Sequence, residues 1–105
     1  MNILFICSRN QWRSRTAETI FKENQNHSIK SAGTEKGARI KVNEKLIGWA
    51  ELIFVMEKTH KQKLQARFDH LLNNKRIIIL DIDDNYQYMD IELIETLKNS
   101  VKPYL

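Results

Sequence analysis

The chain has 105 residues, 42% of them hydrophobic and 29% charged, with a net charge of +4 at pH 7. This fits one folded unit spanning residues 1–105, near the lower size limit for a self-sufficient core, and excludes a disordered or low-complexity polypeptide. No apolar run is long enough to cross a bilayer, no basic segment precedes the short apolar run at the N-terminus, and a lone cysteine cannot form an internal disulfide, so the expected setting is the reducing cytoplasm.

In chain order, residues 2–6 are almost continuously apolar and β-rich, as a strand buried on both faces should be. Residues 14–24 follow as a predicted helix, with Ala17, Ile20 and Phe21 at helical spacing. Residues 27–32 read as a weaker strand ending at Gly33. Residues 38–49 predict a second helix, with Val42, Leu46, Trp49 and Ala50 along one stripe. Residues 51–56 contain the run Leu-Ile-Phe-Val-Met, a third strand. Thr59-x-x-Gln62 has the spacing of a capping box and opens a third helix whose inward face is Leu64 and Phe68. Residues 76–80 predict a fourth strand. Asp90 is the expected N-cap of a last helix that buries Leu93, Ile94, Leu97 and Val101 and stops at Pro103.

Strands alternating with helices predict a small doubly wound α/β fold: a four-stranded parallel sheet with helices on both faces. Ligands bind beyond the carboxyl ends of such strands. Cys7, the Ser31–Gly33 turn, Glu57 and the Asp81–Tyr88 stretch would therefore gather on one rim.

The junction between the first strand and first helix carries the chemistry. Cys7 ends the strand, five residues intervene, and then Arg13 and Ser14 open the helix. Amides of such a loop and the helix dipole favour an anion. The same field favours a thiolate at Cys7, and the Arg13 fork can hold two phosphate oxygens. This suits a nucleophile attacking a bound phosphate ester. Ser14 serves equally well as a helix cap or as a partner of the thiolate. Asn10 suits a turn of awkward conformation. The leaving oxygen needs a proton donor, and four of the five aspartates lie within residues 81–90. Trp12, Tyr86 and Tyr88 are candidates for an aromatic rim. Trp49 reads as core and His60 as a surface helix residue, while His27 and His70 carry no positional signal. No His, Cys or carboxylate group has metal-ligand spacing. The 13 acidic residues are interspersed with 17 basic ones, so the positive balance reads as an ordinary mixed surface, and no RNA-recognition motif accompanies it.

The stretch Ile6-Cys7-Ser8-Arg9-Asn10-Gln11-Trp12-Arg13-Ser14-Arg15-Thr16-Ala17-Glu18 resembles the signature apolar-C-x-G-N-x-x-R-S-P-x-A-E of the low-molecular-weight protein tyrosine phosphatases. Ser31-Ala32-Gly33-Thr34, Phe54-Val55-Met56-Glu57 and Ile82-Asp83-Asp84-Asn85-Tyr86 continue the resemblance in order along the chain. It implies that Cys7 forms a cysteinyl-phosphate intermediate and that Arg13 binds the phosphoryl oxygens. Asp84 would be the general acid, with Asp81 and Asp83 close competitors, and Tyr86 would line the mouth. Asn10 would orient the loop and Ser14 would hydrogen-bond the thiolate. Ser8, Arg9, Gln11 and Trp12 would complete the phosphate-binding loop. The implied ligands are a phosphorylated protein, above all phosphotyrosine, a small aryl phosphate, and inorganic phosphate or a similar anion. No cofactor, metal, nucleic acid or membrane is implied. Departures from the signature are Arg9 for glycine, Trp12 for a smaller residue, Arg15 for proline, and Asp83 and Asn85 for the prolines around the acid. Two alternatives share the loop: a non-catalytic phosphate or phosphoprotein binder, and an arsenate reductase-like protein, whose chemistry needs resolving cysteines that this chain lacks.

Overall fold

A computed structural model describes residues 1–105. The elements are β1 (Asn2–Cys7), α1 (Arg13–Phe21), β2 (Ser28–Gly33), α2 (Glu44–Trp49), β3 (Leu52–Val55), α3 (Lys58–Phe68), β4 (Arg76–Ile79) and α4 (Ile91–Val101). Short 3₁₀ turns at Asp69–Leu71 and Lys102–Tyr104 follow α3 and α4. All four strands are parallel, in the order β2-β1-β3-β4.

The sheet is covered on both faces, and strand alternation sorts the core into two layers. Ile3, Phe5 and Cys7 of β1 lie on the same side as Leu52 and Phe54 of β3, against Ala17 of α1 and Leu93, Leu97 and Val101 of α4. Phe5 stacks on Phe21 and Phe54 at centroid distances of 5.6 and 5.1 Å, which knits α1 and β3 into this layer. Leu4 and Ile6 of β1 point the other way, with Ile53 and Val55 of β3, against Ile47 of α2 and Leu64 and Phe68 of α3. From β2 the chain crosses over β1 to reach β3. The crevice created by that reversal opens at the carboxyl end of β1, where Cys7 sits.

Three local expectations are corrected. The second helix begins at Glu44, not at residue 38. Residues before it bond instead to the end of β2: Gly33 N–H donates to Ile40 O at 2.8 Å and Val42 N–H to Gly33 O at 2.9 Å. Asn43 then starts the helix, its side chain accepting from Leu46 N–H at 2.8 Å. Val42 is buried as expected, but from an extended segment. The third helix is capped by Glu57 and His60 rather than by Thr59 and Gln62. Along α4, Leu93, Leu97 and Val101 are buried while Ile94 is half-buried. Asp90 caps that helix as expected, accepting from Glu92 N–H at 2.9 Å.

Gly33 holds the sheet close to the loop that follows β1. A Cβ there would meet Ser8 O at 2.5 Å and the Ala38 Cβ at 2.7 Å, both well inside van der Waals contact. Gly33→Ala must therefore push the loop off β2. We expect a loss of about 1–3 kcal/mol in a denaturant titration, together with a weakened phosphate site. An alanine variant of wild-type stability would show that this close approach is not needed.

Candidate active site

The loop between β1 and α1 is a nest of donors around one sulfur. Thr16 N–H makes the first intrahelical bond of α1, to Trp12 O at 2.8 Å, so the amides of Arg13, Ser14 and Arg15 have no partner within the helix. No side chain caps this end and no acidic residue lies in its first turn. Asn10 N–H donates to Cys7 Sγ at 3.2 Å, and Ser14 Oγ lies 2.9 Å from the same sulfur. A thiolate only accepts, so with Cys7 ionised the Ser14 hydroxyl is the donor. Ser14 lies inside α1 and does not cap it; its hydroxyl sits between the sulfur and the Ala32 carbonyl, 3.3 Å away.

Asn10 builds the loop from within. It is fully buried, and its φ of 57° is the left-handed conformation that Asn tolerates better than most residues. Arg9, which stands where the signature has glycine, does not carry the positive φ; Asn10 does. The Asn10 amide donates to Ser14 Oγ at 2.7 Å and to Ser31 Oγ at 2.9 Å, and Ser31 in turn donates to the Glu18 carboxylate. From outside, residues 34–39 brace the loop. Thr34 N–H donates to Cys7 O, Glu35 N–H to Ser8 O and Arg39 N–H to Arg9 O, at 2.9–3.0 Å, and Arg39 Nε donates to Asn10 O at 3.0 Å.

Arg13 is 2% exposed. Its Nη1 donates to Glu57 Oε2 at 2.8 Å and to the backbone oxygen of Ile82 at 2.9 Å. Those two contacts hold the guanidinium from behind and leave Nε and Nη2 for a bidentate grip on an anion. Asp84 Oδ1 stands 3.6 Å from Nε. Of the three aspartates weighed as the acid, Asp84 is the one that lines the cavity over Cys7.

That cavity has a volume of about 300 Å³. Cys7, Ser8 and Arg13 form its floor, and Arg9, Gln11 and Trp12 its loop side. Glu35 and Asp84 add two carboxylates to the lining. Trp12 is exposed there, as a rim residue would be. Asn10 and Ser14 lie beneath the floor, fully buried. Tyr86 is half-buried against the α1 and α4 layer and does not line the cavity. Tyr88 is engaged on α1: its hydroxyl pairs with Thr19 Oγ1 at 2.8 Å, and the Arg15 guanidinium sits 4.5 Å above its ring.

The structure is similar throughout its length to solved phosphatases. Wzb, a tyrosine phosphatase from Escherichia coli K30 solved with phosphate, shares 20% identity over 98% of this chain and 94% of its own, with a TM-score of 0.80. SP-PTP, a low-molecular-weight protein tyrosine phosphatase from Streptococcus pyogenes, shares 14% identity over 99% and 90%, with a TM-score of 0.81. The YwlE arginine phosphatase from Geobacillus stearothermophilus shares 20% over 96% and 86%, with a TM-score of 0.73. The fold is that of the low-molecular-weight tyrosine phosphatases. No family model matches the sequence, and no curated protein matches it.

On this phosphatase fold, sequence reasoning missed Glu35, Arg39, Glu57 as the partner of Arg13, and above all His60. His60 is 1% exposed, not a surface residue. Its Nδ1 accepts from Glu57 N–H at 3.0 Å and its Nε2 lies 2.9 Å from Ser8 Oγ. A signal was present: Glu57-x-x-His60 follows directly on β3, and its first residue caps the backbone of the second. The pair reads as a helix start, and nothing local says that the ring turns inward.

The His60 pKa is lowered from 6.5 to about 4, first by burial and then by the Arg13 charge, which together outweigh Glu57. The unfolded chain therefore binds the proton more readily than the folded one between those values. This part of the stability is complete above about pH 6.5 and is lost as pH falls toward about 4. We expect unfolding free energies to decline by as much as about 3 kcal/mol across that window from this group. His60→Gln, which cannot titrate, should flatten that slope in urea titrations at stepped pH. An unchanged slope would show that His60 is not its source.

Proposed function

We propose that this protein hydrolyses phosphate monoesters through a cysteinyl-phosphate intermediate, with protein phosphotyrosine as the substrate class. One observation carries the reading: Cys7, the buried Arg13 and Asp84 converge on one cavity above the uncapped end of α1. The similarity to solved phosphatases supports it.

In the first step Cys7 Sγ attacks phosphorus in line. The S–P bond forms as the P–O bond to the leaving group breaks, and the Asp84 carboxylic acid gives its proton to the departing oxygen. Loop amides and the free edge of Arg13 hold the three equatorial oxygens, and they gain most where charge spreads in the transition state. In the second step water attacks the thiophosphate. Asp84, now a carboxylate, takes the proton, and inorganic phosphate and the Cys7 thiolate are released. An aryl leaving group would lie along Trp12 at the mouth. Ser8, Arg9 and Gln11 complete the loop around the phosphoryl group. Tyr86 packs half-buried against the core layer and does not line the cavity, so the mouth is left to Trp12.

A nucleophilic thiol of this kind belongs in a reducing compartment, which we take to be the cytoplasm. The arsenate reductase alternative is disfavoured because Cys7 is the sole cysteine and no second thiol can resolve it.

A second reading of the substrate has its own observation. Glu35 and Asp84 place two carboxylates on the cavity, and a phosphorylated arginine, as acted on by the similar YwlE, would bring a guanidinium to them. Cleavage of phosphotyrosyl and phosphoarginyl peptides of one sequence decides between them. Aryl phosphate is expected to give the higher kcat/KM, and the reverse order would move the substrate class to phosphoarginine.

Asp84→Asn should lower kcat on a chromogenic aryl phosphate by roughly 10²–10⁴ and leave inhibition by inorganic phosphate nearly unchanged. Asp81→Asn and Asp83→Asn should cost far less. A protein that binds phosphate yet cleaves no aryl phosphate at any pH would replace the enzyme reading by the binding one.

A further inference from the structure

His60 lies outside the steps above, yet it is the most thoroughly buried titratable ring in the chain and touches the phosphate loop directly. Its two nitrogens have different surroundings. Nδ1 faces Glu57 N–H, a donor, so Nδ1 is the bare acceptor nitrogen. The hydrogen of the neutral ring is then on Nε2, aimed at Ser8 Oγ 2.9 Å away. A charged ring would set two donors against each other at Nδ1. The charges that act on the ring are those of Arg13, Glu57, Lys63 and Asp84, and Arg13, whose effect is the largest of them, opposes protonation.

The tautomer fixes the direction of the next hydrogen bond. A serine hydroxyl has one proton and can accept from another donor. Because the ring donates, the Ser8 proton is not used on His60. Ser8 lines the cavity beside Cys7 and Arg13.

We infer that His60 is a positioning residue: its Nε2–H grips the Ser8 oxygen from behind, so that the Ser8 hydroxyl proton is presented to the phosphoryl group above Cys7. This rests on the cavity being a phosphate site. It assigns Ser8 a definite part there, as a neutral side-chain donor that adds to the loop amides and Arg13. It also explains why a histidine serves where no proton is exchanged. A ring that stays neutral and keeps one tautomer is a rigid donor, held at its far side by the start of α3.

The test reads phosphate binding as protection of Cys7 from alkylation by iodoacetamide, which does not depend on turnover. Inorganic phosphate is the probe. His60→Leu and Ser8→Ala should each weaken protection roughly tenfold or more, the usual effect of losing a hydrogen bond to a charged ligand. His60→Gln keeps a neutral N–H donor at similar reach and should recover most of the loss. In the Ser8→Ala/His60→Leu double variant the two losses should not multiply, because the ring acts only through the hydroxyl. Circular dichroism checks that each variant is folded. On the unaltered protein, long-range proton–nitrogen spectra should show Nε2 protonated and Nδ1 bare from pH 8 to 5.

Phosphate protection equal to wild type in folded His60→Leu would overturn the inference while leaving the phosphate site intact. So would multiplying losses, or a proton found on Nδ1. Absence of phosphate protection in the unaltered protein would overturn both this inference and the reading of the cavity.

Discussion

A fully charged guanidinium buried at the carboxyl edge of a parallel sheet is the constraint around which this molecule is arranged. Taking Arg13 out of water costs several kcal/mol unless its donors are met. They are met by groups far away in sequence: the Glu57 carboxylate after β3 and the Ile82 carbonyl after β4. The strand order puts the end of β3 beside that of β1 and the end of β4 one strand further along the same parallel rim, so the topology helps solve the desolvation of Arg13. The side of the fork left over faces Cys7 and Asp84. The same contacts that make the charge tolerable therefore also aim it.

Around that charge the loop is held by polar groups in a definite hierarchy. Asn10 takes the strained conformation, Ser14 and Ser31 receive its amide, and Glu18 anchors Ser31. Residues 34–39 tie down the outer side through the backbone. Little of this is apolar packing, which belongs to the two layers beneath. The division makes physical sense, since a ring of amides must point inward at one place while the hydrophobic layers only need filling.

What the sequence made legible was what is local. The apolar runs, the Cys7–Arg13 spacing and the Asp90 cap each lie within one short window, and each is where it was expected. The resemblance supplied Asp84, which adjacent Asp83 made ambiguous by pattern alone. Glu57 and His60 were opaque because their partners are 44 and 52 residues away, and periodicity cannot tell a polar residue that faces solvent from one that is satisfied inside. The early start given to α2 failed for a related reason. Val42 fits a helical stripe, but its backbone is claimed by Gly33 of β2. Local propensity lost to a tertiary hydrogen bond.

Cys7 shares the phase of Ile3 and Phe5 on β1, on the layer with α1 and α4. In a strand the phase is two-valued: shifting by one residue sends every side chain to the opposite face. A one-residue slip of β1 would bring the thiol out on the α2 and α3 side, and would at the same moment turn Leu4 and Ile6 against the wrong helices. Chemical competence and correct burial are in this way a single binary variable. A chain that has packed its central strand has, by the same act, put its sulfur under the loop.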